Sequence, residues 1–168
     1  MKTPKLVRID LDKPIAELVN KTDHRVLGIW AADSAKRVLP IFEKEYPEDD
    51  HPRKAIKTLR RWIKDGVFKM KDIRKASLDS HASARISKDD AAKSAARAAG
   101  QAVATAHVRT HAIGAAIYAA TAIRDKTGSL DKVKKERDWQ YNHLIKLNKK
   151  FGKTGQKLWR SNKKRCVN

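Results

Sequence analysis

Three groups of residues have types and spacing suited to chemistry. His107 and His111 lie four apart, with Gly114 and Tyr118 further along the same stripe of a helical segment. His81 and Arg85 repeat that spacing, and Asp23-His24-Arg25 with Asp33 forms a third set. Two imidazoles at i, i+4 can face one ion or one anionic ligand. One reading is therefore a polar pocket lined by Asp23, His24, Arg25, Asp33, His81, Arg85, His107, His111 and Tyr118. The other reading is a set of buried histidines, each satisfying a hydroxyl or carbonyl of the core. For a metal, His107 and His111 offer the one suggestive spacing. It comes without the Glu of HExxH, a CxxC or a clear third ligand, so no metal and no cofactor is expected.

Basic residues make the second pattern. Residues 52–75 hold ten Lys or Arg against two Asp, and residues 146–168 hold nine with no acid. A nucleic-acid face would draw on Arg53, Lys54, Lys57, Arg60, Arg61 and Lys64, then on Lys149, Lys150, Lys153, Lys157, Arg160, Lys163, Lys164 and Arg165. Each phosphate neutralised there would release counterions. No zinc-finger spacing or RNP sequence accompanies them, so the alternative is a solvated face and a solubilising tail. Catalytic signals are sparse. Glu136 and Asp138 fall on different helix faces and are expected near the surface, with Trp139 inward. Cys166 sits in the basic tail, and no P-loop or dinucleotide fingerprint occurs. The enzymatic question stays open, leaning towards no.

The elements that must position these residues are helices. The chain has 168 residues, a formal charge of +20 and one cysteine, which excludes a disulfide scaffold and leaves room for one domain. No apolar run approaches a membrane span, and the first residues lack a signal-peptide core, so a cytoplasmic protein is expected. Residues 1–21 read as an arm with an extended or strand-like LVRIDL. A helix follows from Thr22 or Asp23, which Pro40 should kink or end. Pro52 and Gly66 bracket a second helix, and Met70 to Ile86 makes a third. Ser87 or Lys88 then opens an Ala-rich run.

Between Ala98 and Ile123 the single charge is Arg109. This run predicts a long helix, interrupted if anywhere near Gly100 or Gly114, and enclosed by the others because it lacks a polar stripe. Its two imidazoles would then face inward. Thr127-Gly128-Ser129 separates it from a last helix reaching about Leu147. The expectation is all-α: a single-domain bundle of five or six helices around the Ala-rich one. Residues 1–21 form the arm, 22–147 the domain and 148–168 a flexible basic tail.

Five segments in order carry a resemblance: DHRVLGIWAADSAKRVLPIFE (23–43), HPRKAI (51–56), SHASAR (80–85), AARAAGQAVATAHVRTHAIGAAIYA (95–119) and ERDWQYNHL (136–144). Together they resemble the all-helical immunity proteins of bacterial polymorphic toxin systems, over roughly residues 22–145. The resemblance implies a non-enzymatic domain that neutralises a cognate toxin in the cytosol by binding it. The motif positions it carries over are Asp23, His24, Arg25, Asp33, Arg37, Glu43, Arg53, His81, Arg85, His107, His111 and Tyr118. The Lys-rich extension and the N-terminal arm depart from the pattern.

Charge constrains the partner. A +20 inhibitor repels a basic target, so the expected partner is an acidic protein, or one that meets the acidic patch Glu43, Glu45, Glu48, Asp49 and Asp50. Nonspecific nucleic-acid binding by the 52–65 helix and tail is the alternative function. A small-ligand or metal-binding bundle is the third. No membrane partner is expected, and the chain is read as a monomer or homodimer.

Overall fold

A computed structural model describes residues 6–152 of the chain. Seven helices follow one another: α1 (Asp12–Asn20), α2 (His24–Glu45), α3 (His51–Asp65), α4 (Met70–Ile86), α5 (Asp90–Ala104), α6 (His111–Thr127) and α7 (Leu130–Phe151), with no strand among the described residues. The fold is all-α, and the expected five or six helices become seven for two reasons. The arm contributes α1, and the Ala-rich run divides into α5 and α6. The residues from Lys153 on lie outside the described residues. With them lie Lys153, Lys157, Arg160, Lys163, Lys164, Arg165, Cys166 and the expected flexibility of the tail.

The helix ends follow local chemistry. Asp23 caps α2 by accepting from the backbone N–H groups of Arg25 and Val26, and Asp89 caps α5 through Ala92. Gly66 and Gly128 close α3 and α6 with φ of 69° and 62°, values an L side chain rarely adopts. Pro40 does not end α2, which continues to Glu45. Its ring sits on the solvent face, where water can satisfy the carbonyl it leaves unpaired.

The break in the Ala-rich run falls at residues 105–110, not at a glycine. Thr105, Val108 and Thr110 are β-branched and weaken helix there, and the Thr105 hydroxyl turns back to the Gln101 carbonyl at 3.3 Å. Gly100 and Gly114 instead lie inside helices, where they admit the His81 ring and the Gln101 side chain. The break corrects a second expectation: His107 is exposed in the connecting turns, and His111 is half-buried at the start of α6.

Around that break the run is enclosed. Helix α5 packs against α2, α3, α4 and α6, while α2 also meets α3, α6 and α7. Alanines 92, 95, 96, 98, 99 and 102 of α5 and 112, 115, 116 and 119 of α6 are fully buried. Alanine adds little apolar area of its own; its short side chain lets backbones approach and fills the gap with close contacts. Larger groups complete the core from outside: Trp30 and Phe42 on α2, Leu59 on α3 and Leu144 on α7, none exposed. Trp30 also donates from Nε1 to the Gln140 carbonyl at 2.8 Å, which locks α2 to α7. Each of these side chains stabilises the fold by about 2–3 kcal/mol through burial.

Candidate functional site

Eight of the nine residues of the expected pocket fall in three places, and Tyr118 lies apart from them. The first is a clamp at the start of α2. His24 Nε2 donates to the Thr105 carbonyl at the end of α5 at 2.5 Å, and its ring lies 5.2 Å from that of Trp62. Arg25 donates to the carbonyls of Trp62 and Ile63 at the end of α3. Burial lowers the Arg25 pKa, and Asp23 and Asp65 oppose that shift. Asp23-His24-Arg25 thus joins the ends of three helices through orphan carbonyls that helix termini always leave.

Asp33 lies elsewhere, between α3 and α7. It accepts from Arg60 at 2.8 Å and pairs with His143 Nε2 at 2.8 Å. His143 stacks on Trp139 with ring centres 4.7 Å apart, and the Arg37 guanidinium covers Trp139 at 3.9 Å. Trp139 is therefore half-buried in a surface stack rather than in the core. Glu136, expected near the surface, is 5% exposed and pairs with Arg37 at 2.9 Å. Its carboxyl is pushed up by burial, against Arg37, Gln140 and Arg137, which favour the charged form.

The third place unites His81, Arg85, His107 and His111. Ser80 Oγ donates to Ala96 O at 2.8 Å and Ser77 Oγ to Gly100 O at 3.0 Å, so α4 is held close along α5. His81 consequently rests on Gly100, where a Cβ would sit 2.8 Å from the ring. His111 Nδ1 donates to Gln101 Oε1 at 2.7 Å, and the His107 ring is centred 5.3 Å from that of His111. Burial pushes the His81 pKa down to about 4, helped by Arg97, Arg85 and His111. His111 is also lowered, by burial and by His107. Tyr118, two turns along α6 from His111, packs half-buried against the core. Arg97 and Gln101 belong to this group and were not singled out. They are among the few polar residues in the alanine run, and that isolation was the available signal.

The basic face of α3 is divided. Arg53, Lys54 and Arg60 pair with Glu43, Asp50 and Asp33 at 2.5, 2.9 and 2.8 Å. Lys57, Arg61 and Lys64 form no ion pair with a described residue, and Lys149 and Lys150 lie in the last turn of α7. Between α3 and α4 runs a groove of about 510 Å³, with Lys57 and Arg61 on one wall and Asp72, Lys75 and Asp79 on the other. It continues into a smaller hollow of about 170 Å³ beside Val67 and Trp62. Val67, Phe68 and Met70, 56%, 44% and 47% exposed, stand at that end. Among the described residues no three His, Cys, Asp or Glu side chains are grouped to hold a metal, and no helix is long and apolar enough to cross a membrane.

The class the geometry defines is an all-α helical domain with clefts open at its surface. Residues 17–147 match the family described as Imm-5 like putative immunity protein, and the chain belongs to that family. The match takes in the end of α1, from Glu17, as well as α2 to α6 and most of α7, so part of the arm is family structure. No curated protein and no solved structure matches the chain.

Proposed function

We propose that the protein is an immunity protein that neutralises a cognate toxin by binding it directly in the cytoplasm, using the α3–α4 face. Family membership supports the immunity role. The observation that selects the face is the groove between α3 and α4. It presents Lys57 and Arg61, two cations without an ion-pair partner among the described residues, and opens into a hollow lined by exposed Val67, whose chain neighbours Phe68 and Met70 are also exposed. Apolar anchors beside unpaired charge are what a specific protein interface requires.

Charge then selects the partner's side of the contact. In the acidic patch, Glu43, Asp49 and Asp50 are engaged by Arg53, His51 and Lys54, and Glu45 lies 3.8 Å from Lys126. The groove is thus better matched to an acidic toxin segment than the patch is to a basic one.

The test is co-expression with the toxin encoded beside this protein. Cells should survive with the wild-type protein and die with Lys57→Glu/Arg61→Glu, whose helical circular dichroism should be unchanged. Failure of the wild type to protect against any neighbouring toxin would overturn the immunity role. Protection that survives the double charge reversal would move the contact to another face.

A further inference from the structure

The cluster beside Gly100 gathers basic groups. His81 and Arg85 share one face of α4, one turn apart. Arg97 and Gln101 have the same relation on α5, and Gln101 draws in His111 from α6. The charged groups that act on His81 are Arg97, Arg85 and His111, and all three are basic. Nδ1 of His81 and Nε of Arg97 are buried with no hydrogen-bond partner. Neither Arg85 nor Arg97 makes a hydrogen bond or ion pair with any described residue.

Five other arginines differ in this respect. Arg37, Arg53, Arg60, Arg124 and Arg137 each have a carboxylate oxygen within 2.9 Å. Withdrawing cationic and polar groups from water costs free energy unless something answers them. Here His81 Nδ1 and Arg97 Nε are withdrawn from water without a partner, although the serine bonds of α4 hold the helices together at this point.

We propose that His81, Arg85, Arg97 and His111 form a binding site for a small oxyanion of the phosphate class, either free phosphate or the terminal phosphoryl group of a small ligand. Two guanidinium forks and two imidazoles, carried by three helices, approach from more directions than a planar carboxylate can use, and suit a tetrahedral anion. Because His111 Nδ1–H is committed to Gln101, its Nε2 donates to the anion once the ring is protonated, which a dianion favours. His81 offers its unpartnered Nδ1 as a second donor. Exposed Arg85 leaves the site open to solvent. The site is distinct from the α3–α4 groove and does not depend on the toxin reading.

The experiment follows the imidazole Cε1 resonances of the full chain by NMR during titration with inorganic phosphate, at ionic strength held constant with chloride. His81 and His111 should shift saturably while His143, paired with Asp33, stays fixed. Arg97→Gln should weaken binding roughly tenfold or more. Arg85→Gln, at an exposed position, serves as the second variant should Arg97→Gln not fold. A parallel titration with a nucleoside monophosphate separates the two sources: tighter binding than phosphate identifies the phosphoryl group of a larger ligand, and equal or weaker binding identifies free phosphate. Shifts that never saturate up to roughly 10 mM of either anion, or that persist unchanged in the folded variant, would overturn the proposal.

Discussion

Arg137, only 1% exposed, reaches from α7 to Asp12 on α1 and donates to its carboxylate at 2.5 Å. A second nitrogen donates to Gln140 Oε1 at 2.7 Å, and Gln140 in turn donates to Ala116 O and Glu136 Oε1. A residue from the arm therefore closes a buried polar network that spans α1, α6 and α7. Burial lowers the Arg137 pKa, and Asp12 and Glu136 oppose that shift.

Arg137→Met should therefore lower stability by about 3 kcal/mol, since removing one partner strands the other side of a buried pair. Asp12 is partly solvated and Asp12→Asn should cost less. Urea unfolding gives the magnitudes. Limited proteolysis should show new cleavage in residues 12–20 of Arg137→Met, because α1 loses its main tie to α7.

Gly100→Ala provides a local steric test. Replacing a glycine within a helix ordinarily stabilises by up to ~1 kcal/mol. Here the added methyl meets the His81 ring at 2.8 Å, and a net loss of about 1–3 kcal/mol is expected. In a His81→Ala background the ordinary gain should return. A double-mutant cycle measured by thermal or urea unfolding reads that reversal directly.

These contacts show which parts of the molecule were legible in advance. Gly66, Gly128 and Asp23 announced helix ends, because their roles depend on local backbone chemistry alone. Trp30 and Trp139 were not separable by type: one is buried and bonded to Gln140, the other lies in a surface stack with His143 and Arg37. Which way each turns depends on where α7 crosses α2, a tertiary fact. The break at 105–110 was hidden by the strong helix propensity of the alanines around it. With that break unseen, His107 and His111 appeared to share one inward stripe, although the chain turns between them. Glu136 read as a surface acid because nothing local reveals that Arg37 and Gln140 await it.

His81 gives the stability a pH dependence of defined sign. Its folded pKa, about 4, lies below the ordinary 6.5, so the unfolded chain binds more protons between those values. Stability is then complete above about pH 6.5 and is lost as the pH falls towards 4, by at most roughly 3 kcal/mol. His111 acts in the same direction, and Glu136, whose pKa is raised, acts oppositely. Comparing the wild type with His81→Gln isolates the His81 share. Urea midpoints of the two should diverge between pH 7 and pH 5 in the manner of a lost titration, the wild type falling more steeply. Parallel profiles would show that His81 is not buried as a neutral ring.

Arg109 is exposed, yet one nitrogen donates to the carbonyls of Val19 at 2.9 Å and Thr22 at 2.6 Å, with Asn20 at 3.4 Å. The lone charge between Ala98 and Ile123 thus closes the C-terminal end of α1 and the turn into α2, while its own turn separates α5 from α6. Charged hydrogen bonds of this kind contribute about 2 kcal/mol. Arg109→Ala should lose that amount and accelerate amide exchange at residues 19–23. Arg109→Lys should recover only part of it, since the flexible ammonium lacks the pre-organised N–H directions of the guanidinium. Because His24 Nε2 holds Thr105 O across the same junction, the slowed exchange at Thr22 and the shielding of His24 should fail together in Arg109→Ala. Separate responses would show that the two ends of the α5–α6 turn are held independently.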